Sequence, residues 1–143
     1  MKKHYKTNQI YLMPDWYKNL MYQLGFRKIN DTGREYWLNI ISGEPCRVNK
    51  SGRLQVLKDG ATADTYGRVR LKMSDGTYQT FYTHRLIADY IPNRENKPQV
   101  NHIKVAKNCN GIAELEWVTA RENRQHYIQY QKNKEAMNEH NSN

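Results

Sequence analysis

Apolar residues change their spacing twice along this chain. Between Pro14 and Gly25, Trp16, Leu20, Met21 and Leu24 recur at helical intervals, opened by a proline and closed by a glycine. A short amphipathic helix is predicted there, with its apolar stripe packed on the domain. From Glu35 the pattern changes to short strands. Cys46-Arg47-Val48 and Leu54-Gln55-Val56-Leu57 flank the turn signal Asn49-Lys50-Ser51-Gly52, which predicts a hairpin. A second hairpin follows: Val69 and Leu71 alternate with Arg68, Arg70 and Lys72, and Ser74-Asp75-Gly76 then turns the chain into Tyr78–Tyr82. One face of that hairpin is apolar and the other carries positive charge.

Helical spacing returns at Thr83. With Thr83 as cap, Leu86, Ile87 and Tyr90 inward and Ile91-Pro92 as the stop, a helix is predicted from Thr83 through Tyr90. After a polar spacer at residues 93–98 come a strand from Val100, a long loop, a strand over Leu115–Val118, and a helix opened by Thr119 with Glu122 as its capping-box partner. That helix is predicted to run to about Tyr130, and the Asn-, Lys- and Glu-rich residues beyond it to fray. No internal repeat is present. The class predicted is α+β, small antiparallel hairpins with short helices. It divides into a helical extension (residues 1–30), a strand-rich module (31–82), a C-terminal motif (83–131) and a polar, flexible tail (132–143).

Composition sharpens this picture. A chain of 143 residues suits one small domain with appendages. Hydrophobic residues make up 38%, too few for a large core, so the fold should be shallow, though eleven Tyr and three Trp can bury rings while keeping a polar edge wet. Lys and Arg total 23 against 14 Asp and Glu, a net charge of +9, with a pI near 9.6. Because those cations are interleaved with aromatics and not gathered in one tail, the anionic partner they favour is nucleic acid. No apolar run approaches the roughly 20 residues that cross a bilayer, and the polar start at residues 1–4 lacks a signal segment, so a cytoplasmic protein without a membrane partner is expected. Cys46 and Cys109 stand alone, which predicts free thiols and neither a zinc knot nor a disulfide.

The densest chemistry lies in VNHIKVAKNCNGIAELEWVTARENRQHY, from Val100 to Tyr127. The order strand, loop, strand, helix lets the first strand and the helix face each other. His102 can take a proton from water near neutral pH, while amide oxygens can hold a hard cation against a phosphate. Taken singly, His102 also fits a satisfied core histidine, Asn101 and Asn123 fit turn and cap residues, and Trp117 fits a core anchor. The joint pattern is what points to hydrolysis.

That pattern resembles a family. HRLIADYIPNRENKPQVNHI and LEWVTARENRQH are similar to the helix, spacer, strands and final helix of the HNH homing endonucleases, above all the small phage and intron-encoded group. Weaker similarity reaches Tyr36-Trp37, RVNKSGRL and GRVRLKMSDGTYQTFYTHRL, so the resemblance covers roughly three quarters of the chain. It implies a ββα-metal finger that holds one divalent cation, commonly Mg2+ with Mn2+ as the substitute, against the scissile phosphate of double-stranded DNA. By position, His102 matches the general base, Asn101 the metal ligand before it and Asn123 the second protein ligand. His126 matches the histidine of the EN..H segment, with a phosphate-contacting or supporting catalytic role, and His84 opens the HRL helix in a structural or phosphate-contacting one. Two departures stand out. Glu114 replaces the asparagine that ties the finger's loop in NLEW, so that clasp would need Asn110 or a protonated Glu114. The HIDGNK turn reads HIKVAK, with Lys104 for the acid and Val105 for the glycine.

DNA is expected to be held by its backbone, through Arg68, Arg70, Lys72, Arg85, Lys104 and Lys107. The function this implies is a metal-dependent DNA endonuclease encoded by a phage or mobile element, with no small-molecule substrate. Two alternatives remain open: a DNA-binding protein that keeps the finger without cutting, and an RNA-binding or structural protein whose Tyr-rich strands serve as stacking platforms. Monomer and dimer both fit the sequence.

Overall fold

The computed structural model describes residues 15–141, and of residues 140 and 141 the backbone only. Residues 1–4 and Pro14, which carried the polar start and the helix opening, lie outside the described residues. Helix α1 spans Asp15–Gln23. Of its predicted stripe, Met21 alone is buried, filling a patch made by Trp37, Cys46 and Val48, while Trp16, Leu20 and Leu24 are exposed. The patch takes one side chain, so the stripe is not the packed face that its spacing predicted.

Four strands then form an antiparallel meander in the order β1-β2-β3-β4: β1 Phe26–Lys28, β2 Tyr36–Asn39, β3 Glu44–Val48 and β4 Leu54–Val56. β1 had no sequence signal, since three residues carry no alternation. It joins the N-terminal stretch to the sheet across the boundary expected near residue 30, with Arg27 opposite Leu38. The β3–β4 turn closes as predicted because the Asn49 Oδ1 accepts both Ser51 N–H and Arg53 N–H at 3.0 Å. A second sheet pairs β5 Arg68–Lys72 with β6 Tyr78–Tyr82. Val69 and Leu71 are buried while Arg68 and Arg70 are exposed, as the alternation predicted. The two sheets meet where the Tyr36 hydroxyl accepts Lys72 N–H at 3.0 Å and Thr32 bridges to Met73.

Helix α2 covers Thr83–Ala88. It differs from expectation at both ends. Thr83 is no cap: its buried hydroxyl donates to Asp59 Oδ2 at 2.7 Å. Tyr90 is exposed, because the helix stops earlier and Trp117 Nε1 donates to the carbonyl oxygens of Ala88 and Ile91, both at 3.1 Å. Trp117 is half-buried and lies in none of the apolar clusters, so it is tied to the end of α2 by these bonds and not set in the core as expected. β7 Gln99–His102 pairs antiparallel with β8 Leu115–Val118, joined by a loop ending in a 3-10 turn at Ile112–Glu114. Helix α3, Ala120–Asn141, starts on the predicted reciprocal box, with Glu122 N–H donating to Thr119 Oγ1 (3.1 Å) and Thr119 N–H to Glu122 Oε1 (3.2 Å).

Among the described residues the apolar interior is three small clusters and not one deep core, in line with the low hydrophobic content. Leu38, Ile40, Ile87 and Leu115 tie the meander to α2 and the finger, and Tyr36, Val69 and Leu71 tie it to the second sheet. Ile29 and Leu86 pack against both clusters. Fully buried Leu38, Leu71 and Ile87 each contribute about 1.5–3 kcal/mol through removal from water. The clusters are what place the finger, because Leu115 at the start of β8 sits in the same apolar contact as Ile40 from the meander.

Candidate active site

β7 delivers Asn101 and His102 side by side at its end. Both are buried, and both line an open cleft of about 380 Å³ whose opposite wall is the first turns of α3, with Asn123 and Arg124. An imidazole from an early strand and an amide from a later helix thus border one space.

His102 is oriented by a neighbour. Its Nε2 lies 2.8 Å from the Oδ1 of buried Asn110. An amide oxygen only accepts, so Nε2 carries the proton and Nδ1 keeps the lone pair that can take a proton from water. Burial holds the imidazole below its ordinary pKa of 6.5; the bond to Asn110 pulls the other way, and the charge of Lys107 adds to the depression. His102 is thus a neutral base at physiological pH.

Asn110 is itself held by the meander. The turn between β2 and β3 approaches so closely that a Cβ on Gly43, at φ +79°, would lie 2.5 Å from the Asn110 carbonyl carbon. A Cβ on Gly111 would lie 2.2 Å from the Ile41 carbonyl oxygen. Ile112 N–H donates to the Ile40 carbonyl at 2.8 Å across the same seam. Of the two residues the sequence left open for the clasp, Asn110 is the one whose side chain reaches His102 and whose backbone the meander presses. Glu114 instead accepts from Lys104 at 3.2 Å, and its backbone carbonyl receives Ile103 N–H at 3.0 Å.

The two asparagines present oxygen. Asn101 donates its Nδ2 to Glu116 Oε1 at 2.9 Å, and since a carboxylate takes only donors, the amide oxygen is left for another partner. Asn123 donates its Nδ2 to Gln99 Oε1 at 3.0 Å with the same result. Neutral oxygen donors suit a hard cation that keeps most of its waters, such as Mg2+. Among the described residues no three His, Cys, Asp or Glu side chains come together, so a cation here would rest on these amides and on the anion it meets.

The remaining predicted residues fall in different places. His126 is half-buried and outside the cleft lining. A step of three residues from Asn123 turns a side chain about 60° around the helix, and Arg124 and Tyr127 take the cleft side instead. Lys107 lines the cleft; exposed Lys104 is drawn to Glu114. Arg68 and Arg70 are exposed on β5 opposite Tyr82 and Thr80, Lys72 is half-buried opposite Tyr78, and the Arg70 guanidinium stands 4.6 Å from the Tyr78 ring centroid. Arg85 is exposed on α2. Sequence reasoning missed Tyr66, Gln99, Arg124 and Tyr127, all in the cleft lining. The helical period of α3 carries the last two; nothing in a loop reveals Tyr66.

Val105, which replaces the turn glycine, adopts φ +56°, a left-handed conformation costly for a β-branched residue. Val105→Gly is expected to stabilise the chain by about 1 kcal/mol, after the entropy that glycine loses on folding. Thermal melting should then rise by roughly 2–4 °C, and an unchanged or lower midpoint would contradict the strain.

Two strands and a helix that bring an imidazole and two amide oxygens to one cleft define a finger of the HNH nuclease kind. No family model matches the chain. Among solved structures it is similar to the HNH homing endonuclease I-HmuI, a protein described for DNA binding and cleavage, with 29% identity and a TM-score of 0.56 over 73% of this chain and 59% of that one. Two proteins of Acanthamoeba polyphaga mimivirus, each described as an uncharacterized HNH endonuclease, are 36% identical over 88 residues and 46% identical over 66 residues. These matches take in 57% and 44% of this chain but 26% and 17% of the relatives, so the chain spans a small part of their length. By fold and by sequence the chain is similar to HNH endonucleases.

Proposed function

We propose that this chain hydrolyses phosphodiester bonds of double-stranded DNA with the help of a divalent cation, Mg2+ before Mn2+. The observation that carries the reading is the cleft itself, which is lined by a histidine held at Nε2 and two asparagines held at their Nδ2 atoms. His102 takes the proton of the attacking water at Nδ1, and Asn110 holds the ring through Nε2. Asn101 and Asn123 hold the cation, which when bound supplies Lewis-acid polarisation of the phosphoryl oxygen. Lys107 and Arg124 draw the phosphates into the cleft, and the exposed cations of β5 follow the backbone beyond it, so affinity falls with salt. His126, outside the lining, has no part in this mechanism. The viral origin of the matched relatives supports a phage or mobile-element setting, acting in the host cytoplasm. Among the described residues no helix is long and apolar enough to cross a membrane.

Supercoiled plasmid incubated with Mg2+ or Mn2+ is the test. Nicking that stops with a chelator is expected, and in Asn123→Ala the metal concentration needed should rise about 10–100-fold. Tight duplex binding without nicking in either metal would replace this reading with that of a finger kept for binding alone.

A further inference from the structure

The loop between β4 and β5, residues 57–67, has no part in the mechanism above, yet it brings an aromatic ring to the base. Three bonds lay the loop on α2 and the finger. Thr83 donates its hydroxyl to Asp59 Oδ2 at 2.7 Å and its N–H to the Gly67 carbonyl at 2.9 Å, and Lys107 N–H donates to the Ala63 carbonyl at 3.0 Å. They deliver Tyr66, whose ring centroid is 4.7 Å from that of His84 and 5.7 Å from that of His102. His84 and His102 are themselves 5.1 Å apart, so the three rings are mutual neighbours.

Burial does not account for this cluster. Tyr66 is 39% exposed at the cleft, where a ring placed for its own burial would not be. His84 is 7% exposed, and among the described residues its Nδ1 has no hydrogen-bond partner. A buried polar atom without a partner is destabilising, a cost that a leucine there would not incur. Asn110 grips His102 at one nitrogen only, and one hydrogen bond leaves the ring free to swing about it. Flat neighbours at these separations remove that freedom.

We propose that Tyr66 is a positioning residue: backed by His84, its ring fixes the plane of His102 so that Nδ1 stays presented to the cleft. The consequence for cutting rests on the hydrolytic reading; the effect on the imidazole does not. The test therefore has two readouts on the full chain. In 15N-labelled protein, the ring nitrogens of His102 should report the single Nε2–H tautomer. Tyr66→Leu, which lets the imidazole tilt out of line with Asn110 Oδ1, should move them towards values averaged between tautomers, and Tyr66→Phe, which keeps the aromatic ring, should restore them.

At saturating DNA, Tyr66→Leu should cut about tenfold more slowly, with a dissociation constant for uncut duplex within about threefold of the original, and Phe should restore the rate. A thermal melt verifies that Tyr66→Leu folds, and Tyr66→Met gives a second ringless side chain should it not. Nitrogen shifts that stay the same without the ring overturn the proposal, whatever happens to cleavage. A wild-type chain that never cuts would sink the hydrolytic reading, and the nitrogen shifts would still decide the role of Tyr66.

Discussion

Replacing His102 by alanine should leave a protein that still binds duplex DNA and cuts it about 10²–10⁴ times more slowly, the range a positioned general base contributes. Single-turnover rates at saturating DNA measure this without interference from product release. The pH profile identifies the group. The imidazole works only when unprotonated, and its folded pKa is held below 6.5 by burial and by Lys107 against the opposing bond from Asn110. Cleavage should therefore persist as the pH falls to 6.5 and be lost only below it, through the lowered folded pKa. A cation held by Asn101 and Asn123 would disfavour the imidazolium and so would move the limb in the same direction. An acidic limb centred above pH 6.5 that survives in His102→Ala would assign the base to another residue.

The elements that were legible in the sequence are those whose signals are local. The β3–β4 turn is closed by one asparagine side chain, the second hairpin by strict alternation around Val69 and Leu71, and the start of α3 by two residues three apart that cap each other. The candidate site was readable for a different reason: its residues lie in one short stretch whose order a family shares. What escaped was set by contacts distant in sequence. Choosing between Asn110 and Glu114 as the clasp requires knowing that residues 40–43 press against residues 110–111, and no local pattern carries that. Tyr66 reaches the cleft on a loop without periodicity, across the boundary drawn at residue 82 between a binding module and a nuclease motif.

The length of α3 was underestimated because its distal half buries little, so the apolar stripe that normally marks a helix is absent. Its support is local instead. Residues 131–139 contain neither glycine nor proline and include Lys, Glu, Ala and Met, good helix formers, while Gln129 donates to Asn133 at 2.9 Å and Gln131 to the Tyr127 hydroxyl at 2.6 Å. Propensity and pairs one turn apart suffice to continue a helix once tertiary contacts have nucleated its first turns.

The clasp supplies the second large effect, and it separates two residues that the sequence could not. Asn110→Ala removes the acceptor from a buried N–H, which should cost about 1–3 kcal/mol of stability. It also leaves His102 free to change tautomer and plane, for which a loss of about 10²-fold in cutting is expected. Glu114→Ala breaks only an ion pair with exposed Lys104, a contact worth about 0–1 kcal/mol, and should cut within a few-fold of the original rate. The opposite ranking, measured by melting and by single-turnover cleavage, would return the clasp to Glu114. Asn110→Asp sharpens the comparison, because a carboxylate still accepts from Nε2 and so keeps the ring in place. Its negative charge favours the imidazolium, so the acidic limb of the pH profile should move to higher pH while the plateau rate at high pH stays close to the original.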